Sequence, residues 1–205
     1  MHAQDILKAI EAEVAECTAC RLHLSRKLPV PGSGSPEADI VFIGEAPGFH
    51  ENEQGIPFVG AAGRFLDELL ASIQLKREDV FICNVVKCRP PGNRDPETPE
   101  MEACAGYLQR QIEAINPGVI VTLGRFSMAR YFPKAKISVI HGEAKVVNGR
   151  MIVPMYHPAA ALHQPSLRRT IEEDFLKLPA FIQQGKGFDA AASSSEDSPE
   201  QLSLF

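Results

Sequence analysis

Residues 40–48 read IVFIGEAPG, four consecutive apolar residues running into a glycine-rich loop. The run Ile40-Val41-Phe42-Ile43 leaves no polar position for a wet face, so it reads as a strand buried on both sides and stopped at Gly44. Two-sided burial is the mark of a parallel sheet covered by helices. The same pattern recurs outward along the chain. Val80–Val86 and Val119–Leu123 are further short apolar strands. Phe65, Leu66, Leu69, Leu70 and Ile73 share one helical face, and Met101, Cys104, Leu108, Ile112 and Ile115 share another. Thr98-Pro99 predicts the start of that second helix, with Thr98 as N-cap. Asn148-Gly149, between Lys145–Val147 and Met151–Val153, spells a hairpin whose second arm continues as a fourth core strand. Leu167, Ile171, Phe175 and Leu178 predict a last helix, interrupted at Pro179. The expected fold is α/β, a three-layer sandwich with a central, mainly parallel four-stranded sheet flanked by helices.

The 205 residues are enough for one domain with a sizeable core. The net charge of −5 is unevenly placed, because residues 187–205 hold four acids and no Lys or Arg. Without them 21 basic residues face 22 acidic ones, so the body is close to neutral. From about Gly185 the chain is rich in Gly, Ala, Ser and acid, so the expected division is a domain over 1–184 and a disordered acidic tail over 185–205. Acid-free basic clusters occur at Arg125, Arg130, Lys134 and Lys136, at Lys87, Arg89 and Arg94, and at Arg168 and Arg169. Such clusters suit nucleic acid, although most are simply solvated faces. The N-terminus carries acidic residues and no unbroken apolar core, unlike a signal peptide, and no run approaches a membrane span. A soluble, cytoplasmic protein without membrane contact is expected.

In that compartment disulfides rarely persist, which bears on Cys-Thr-Ala-Cys at 17–20. Cys88 and Cys104 extend the pair to C-x2-C, a gap of 67 residues, then C-x15-C. Four thiolates at this spacing could hold zinc or an iron–sulfur cluster. Cys104, on an apolar helix face, could equally be a plain core residue. Cys83 sits inside a buried strand and is the spare.

The loop GEAPGFHENEQGIPFVGAAG, residues 44–63, follows the first strand, where ligands of open α/β sheets bind. The second strand ends in Asn84, and the fourth is followed by Tyr156-His157-Pro158. A carboxylate, an amide, an imidazole and the aromatic Phe58 could thus converge at one sheet edge. An amide can read the edge of a nucleobase, and an aromatic ring can stack on its face.

C-x2-C at 17–20, GEAPG at 44–48, GIPFVGAAG at 55–63, NVVKCRPPGNR at 84–94, Cys104, VTLGR at 121–125 and HPAA at 157–160 together resemble the family 4 uracil-DNA glycosylases. This is the iron–sulfur branch of the uracil glycosylase superfamily. The resemblance implies that superfamily's fold and hydrolysis of the N-glycosidic bond of uracil in single- or double-stranded DNA, giving free uracil and an abasic site in base-excision repair. It implies a [4Fe–4S] cluster on Cys17, Cys20, Cys88 and Cys104. It places uracil against Glu45, Ala46, Pro47, Glu51, Phe58, Asn84 and His157. Phe58 would stack on the base, Asn84 would bond N3–H and O4, and Glu51 would exclude a thymine methyl. His157 would stabilise charge on O2, and Glu45 would handle the attacking water, with Glu51 as rival. A non-catalytic DNA-binding relative of the same fold is the alternative.

Several positions depart from the family pattern. The best-known relatives carry Asp where Ala46 stands, and often Asp at Asn52. Ala161 and His163 replace the commoner Leu and Arg, which implies weaker DNA penetration from that loop. RPPGNRDP has no histidine for covalent capture, and no lysine is expected in the pocket, so a lyase step is not expected. Gln201-Leu202-Ser203-Leu204-Phe205 resembles the peptide that docks bacterial replication proteins on the DNA sliding clamp. The enzyme itself is expected to be a monomer in the bacterial cytosol.

Overall fold

A computed structural model describes residues 2–193. In chain order the elements are α1 (Ala3–Glu16), β1 (Ser33–Gly34), β2 (Ile40–Gly44), α2 (Phe49–Gln54), α3 (Ala61–Ser72), β3 (Phe81–Asn84), α4 (Thr98–Ile115) and β4 (Val119–Leu123). There follow α5 (Arg125–Ala129), α6 (Ile137–Ile140), β5 (Lys145–Val147), β6 (Arg150–Met155), α7 (Ala159–His163), α8 (Leu167–Phe175) and α9 (Leu178–Ser193). The strands form one sheet in the order β1-β3-β2-β4-β6-β5. Its centre, β3-β2-β4-β6, is parallel throughout, and β1 and β5 pair antiparallel at the two edges. The expected four-stranded sheet is therefore the parallel centre of a six-stranded one. One edge strand, β5, is the expected first arm of the Asn148-Gly149 hairpin, while the other, β1, is only two residues long and lacks an apolar run, because an edge needs little burial to pair.

Strand β2 shows why the apolar run decides the architecture. Ile40 and Phe42 face a core built with Phe65, Leu66, Leu69, Leu70, Ile171 and Phe175, from α3 and α8. Val41 and Ile43 face the opposite core, built with Leu108, Ile112 and Ile115 of α4. Successive side chains of a strand point to opposite faces, so four apolar residues serve both layers. Three layers result, helix on sheet on helix. No helix among the described residues is long and apolar enough to cross a membrane.

Helix boundaries differ from expectation in three places. Glu97, not Thr98, caps α4, and its backbone N–H donates to the Glu100 carboxylate at 2.8 Å. Pro99 then lies in the first turn, where its missing N–H costs nothing. Pro179 likewise opens α9 rather than interrupting the preceding helix, which ends at Phe175. Finally, α9 runs to Ser193, past the expected boundary at 185. Gly185 lies against the start of β4, where a β-carbon would sit 3.0 Å from Val119 Cγ2 and 3.1 Å from Gly118. That close approach, rather than a linker, accounts for the glycine. The peptide Gln201–Phe205 lies outside the described residues.

Lys87 is not part of a surface cluster, as its neighbours in sequence suggested. It is 1% exposed, and its ammonium donates to the Asn84 carbonyl at 2.9 Å and to Gln111 Oε1 at 2.7 Å. Burial pulls its pKa down from the ordinary lysine value. Its task is to fasten the end of β3 to α4.

Candidate active site

The site is assembled at the carboxyl ends of β2, β3 and β6. Gly44 and Asn84 are register partners where β2 and β3 end. A β-carbon at Gly44 would overlap Asn84 Oδ1 and lie 2.8 Å from the Phe58 ring, so glycine opens the floor of the site. Asn84 is 2% exposed, and its Oδ1 is buried without a hydrogen-bond partner among the described residues. An acceptor left unpaired in that way costs about 1–3 kcal/mol unless a ligand or water fills it.

Phe58 sits beside Asn84 in a left-handed conformation, φ 54°. Arg77 holds that turn by donating to the carbonyls of Phe58 and, at 2.9 Å, of Pro57. Gly63 leaves the room, since a β-carbon there would overlap the Phe58 carbonyl. The Phe58 and His157 rings stack with centroids 5.3 Å apart at 24°. His157, just beyond β6, accepts the Ala159 backbone N–H on Nδ1 at 3.1 Å. A neutral ring must then carry its proton on Nε2. Burial lowers its pKa to about 4, against an opposing pull from Glu51, so the neutral form prevails at pH 7.

Glu51 is occupied elsewhere. Its Oε2 accepts from Gly48 N at 3.1 Å, and its Oε1 accepts from Val59 N at 2.9 Å and Gly60 N at 3.0 Å. The carboxylate thus ties both ends of the 44–63 loop together, which weakens its rivalry with Glu45 for a water. Asn52, where relatives often have Asp, is buried and accepts the Lys27 backbone N–H at 2.9 Å. Glu45 is half-buried, with no such strap among the described residues, and its pKa is raised by burial first and then by the charge of Asp95, while Arg125 opposes. Asp95 and Arg125 are themselves an ion pair.

These groups share one cleft of about 570 Å³. Glu45, Ala46, Pro47, Glu51, Phe58, Asn84 and His157 all line it, and no lysine does. Asn93 and Asp95 on its wall were missed in the sequence, while Arg94 and His163, read there only as DNA-facing residues, line the cleft as well. The run RPPGNRDP carried the first three, but nothing in it showed which side chains turn inward. Ala161 is buried, while Leu162 beside it is exposed, so the α7 corner keeps an apolar projection one residue later than expected.

Cys17, Cys20, Cys88 and Cys104 line a second, small pocket with Val14, Arg26 and Tyr107, whereas Cys83 lies apart in β3. All five thiols are free. Arg26 Nη1 donates to Cys88 Sγ at 3.2 Å and Lys87 N to Cys104 Sγ at 3.4 Å. Such donors suit sulfur that carries negative charge. Among the described residues, no three His, Cys, Asp or Glu are gathered as around a single metal ion.

Comparison with known proteins identifies the family. The uracil DNA glycosylase superfamily matches residues 31–178. A type-4 uracil-DNA glycosylase of Sulfurisphaera tokodaii is 48% identical over 184 residues, covering 85% of this chain and 84% of that one. Its counterpart from Thermotoga maritima is 42% identical over 186 residues, 88% of this chain and 97% of that one. A DNA polymerase of Bacillus phage SP01 is 31% identical over 159 residues, 77% of this chain but 17% of the polymerase. A superfamily match across both cores and the whole cleft, with type-4 relatives at this identity, places the chain in the uracil-DNA glycosylase superfamily, in its type-4 branch.

Proposed function

We propose that the protein excises uracil from DNA by hydrolysis and has no lyase step. The observation that carries this is the buried, unpartnered Asn84 Oδ1 at the floor of a cleft whose wall holds neutral His157. Uracil offers N3–H to that oxygen and O4 to the amide nitrogen of Asn84. Cytosine offers the reverse, leaving both amide groups unpaired in a dry site. The base must leave the duplex stack to reach the floor, at a cost of a few kcal/mol. Phe58 then supports its face.

When the C1′–N1 bond breaks, its electron pair leaves with uracil and negative charge gathers on O2. His157 Nε2–H is the donor for that oxygen, fixed in tautomer by Ala159 N. Positive charge on the sugar is stabilised by the Glu45 carboxylate, which also takes a proton as water adds to C1′. Glu51 holds the loop and fills the space beside C5 that a thymine methyl would need.

Cys17, Cys20, Cys88 and Cys104 would hold a [4Fe–4S] cluster. Their common cavity and the N–H donors directed at two of the sulfurs support a thiolate-held group there. When bound it supplies a covalent tie between the end of α1, the loop after β3 and α4. Gln201–Phe205 remains our candidate for sliding-clamp docking, with Leu204 and Phe205 as apolar anchors. Deleting 201–205 should abolish clamp binding and leave excision from short oligonucleotides unchanged.

The decisive test is alkaline cleavage of oligonucleotides bearing uracil, thymine or cytosine at one position. A product from the uracil strand alone is expected, and an intact uracil strand would overturn the reading.

A further inference from the structure

Arg94 lines the uracil cleft, Arg125 and Arg89 each hold a residue that lines it, and two of these three arginines are already neutralised. Arg94 forms a fork with Glu100, at 2.6 and 2.9 Å, and Arg125 pairs with Asp95. Arg89 differs. Its Nε donates to Asn93 Oδ1 at 2.7 Å, its guanidinium carbon lies 5.3 Å from the centre of the Phe49 ring, and no carboxylate among the described residues pairs with it. Phe49 remains 52% exposed with Arg89 over it. Neither residue lines the cleft itself, but their chain neighbours Gly48 and Pro90 do, and so does Asn93, which Arg89 holds. A large aromatic left half open, beside an uncompensated cation held in place by an amide, has no evident role in the fold.

We propose that Phe49 and Arg89 form a subsite for the nucleotide next to the flipped uracil, with Phe49 stacking on its base and Arg89 holding its phosphate. The proposal rests on the uracil-excision reading and adds strand preference to it. Stacking on an aromatic ring is tolerant of sequence and favours a base free of a partner. In a duplex the neighbouring base is already paired and stacked, so the platform gains less. The single strand is therefore the form that this subsite strengthens. Arg89 adds charge at the same point, because releasing counterions from phosphate is favourable for any sequence.

The test is fluorescence anisotropy with oligonucleotides carrying a stable abasic analogue, single-stranded and as a duplex, so that no uracil need be cleaved. Phe49→Ala should weaken single-strand binding about tenfold, with a smaller loss on the duplex. Phe49→Tyr should restore it. Arg89→Gln should lower the slope of log K against log salt by about 0.7 on the single strand. Single-strand affinity unchanged in Phe49→Ala, or equal losses on both forms, would overturn the subsite. Uracil excision by the parent is measured separately, so failure of the activity and failure of the platform are told apart.

Discussion

Gly44 and Asn84 end two neighbouring parallel strands side by side, and the missing β-carbon of one is the space occupied by the side-chain oxygen of the other. This pairing sets the depth of the base pocket. Gly44→Ala would push against both Asn84 Oδ1 and the Phe58 ring, neither of which is at the free end of a flexible chain. Uracil excision should fall at least a hundredfold, while overpacking costs roughly 1–3 kcal/mol of stability. Single-turnover rates beside a circular-dichroism melt check this. A folded variant with parental rates would mean that the pocket floor lies elsewhere.

His157→Ala should slow excision by roughly a hundredfold, the usual loss for one preorganised donor to developing negative charge. Binding to uracil DNA should change far less, because the donor matters most as O2 gains charge. The rate constant and the half-saturation concentration in single turnover separate the two. A variant that loses binding but keeps its rate would reassign His157 to ground-state recognition.

The Cys cavity predicts a metal-linked fold. Protein prepared without oxygen should carry about four irons per chain, with thiolate-to-iron absorption. Cys88→Ala should lose that colour and melt at lower temperature, since metal binding and folding are coupled. Cys83→Ala should keep the iron, because Cys83 lies in β3 away from the cavity. Stoichiometric zinc and no iron would contradict this assignment.

Glu100 joins the cleft wall to the Cys20 segment. Arg94 grips its carboxylate and Arg21 Nε reaches it at 3.2 Å, while its own side chain is almost wholly buried. The Arg94 hydrogen bonds come first among the causes that lower its pKa to about 2. A depressed carboxylate contributes stability that is complete above its unfolded value near 4.5 and lost as pH falls toward 2. Glu100→Gln should therefore cost about 2 kcal/mol at pH 7, roughly 4–8 °C in Tm. The gap between variant and parent should close between pH 4.5 and pH 2. A gap that stays constant in acid would show that Glu100 acts through shape alone.

Much of the fold was legible because its central strands are buried on both faces and so apolar at every position. The edge strand β5 was legible too, through its Asn148-Gly149 turn, but β1 was not, since Ser33-Gly34 carries no hydrophobic pattern and pairs only through backbone. The converging side chains Glu45, Phe58, Asn84 and His157 could be placed because each follows a strand or its loop at the same sheet edge. Their supports were hidden. Glu51 lines the cleft as expected, but its second task, accepting three backbone N–H groups that hold the loop, was not legible. Lys87 looked like surface charge, yet it is tethered inside to Asn84 and Gln111. Asp95 and Arg125 are 30 residues apart, and only the folded chain brings them together.

That last pair governs the remaining prediction, the acid limb of activity. In the proposed mechanism Glu45 must be ionised to stabilise the sugar cation and accept a proton from water. Its pKa is raised above the usual carboxylate value, first by burial and then by Asp95, with Arg125 pulling the other way. As pH falls through the raised pKa, Glu45 takes up a proton and the rate drops. His157 should not set this limb, because burial keeps its ring neutral well above about 4, and the proposed mechanism uses the neutral ring. Asp95→Asn removes one cause of the upward shift and also leaves the Arg125 charge uncompensated. Both changes favour the Glu45 carboxylate, so the limb should move to lower pH with little change in the plateau. His157→Gln should lower the plateau and leave the limb in place. Single-turnover excision from pH 4.5 to 8 on the three proteins decides it. A limb that stays fixed in Asp95→Asn, or that moves upward, would remove Glu45 as the group that handles the water.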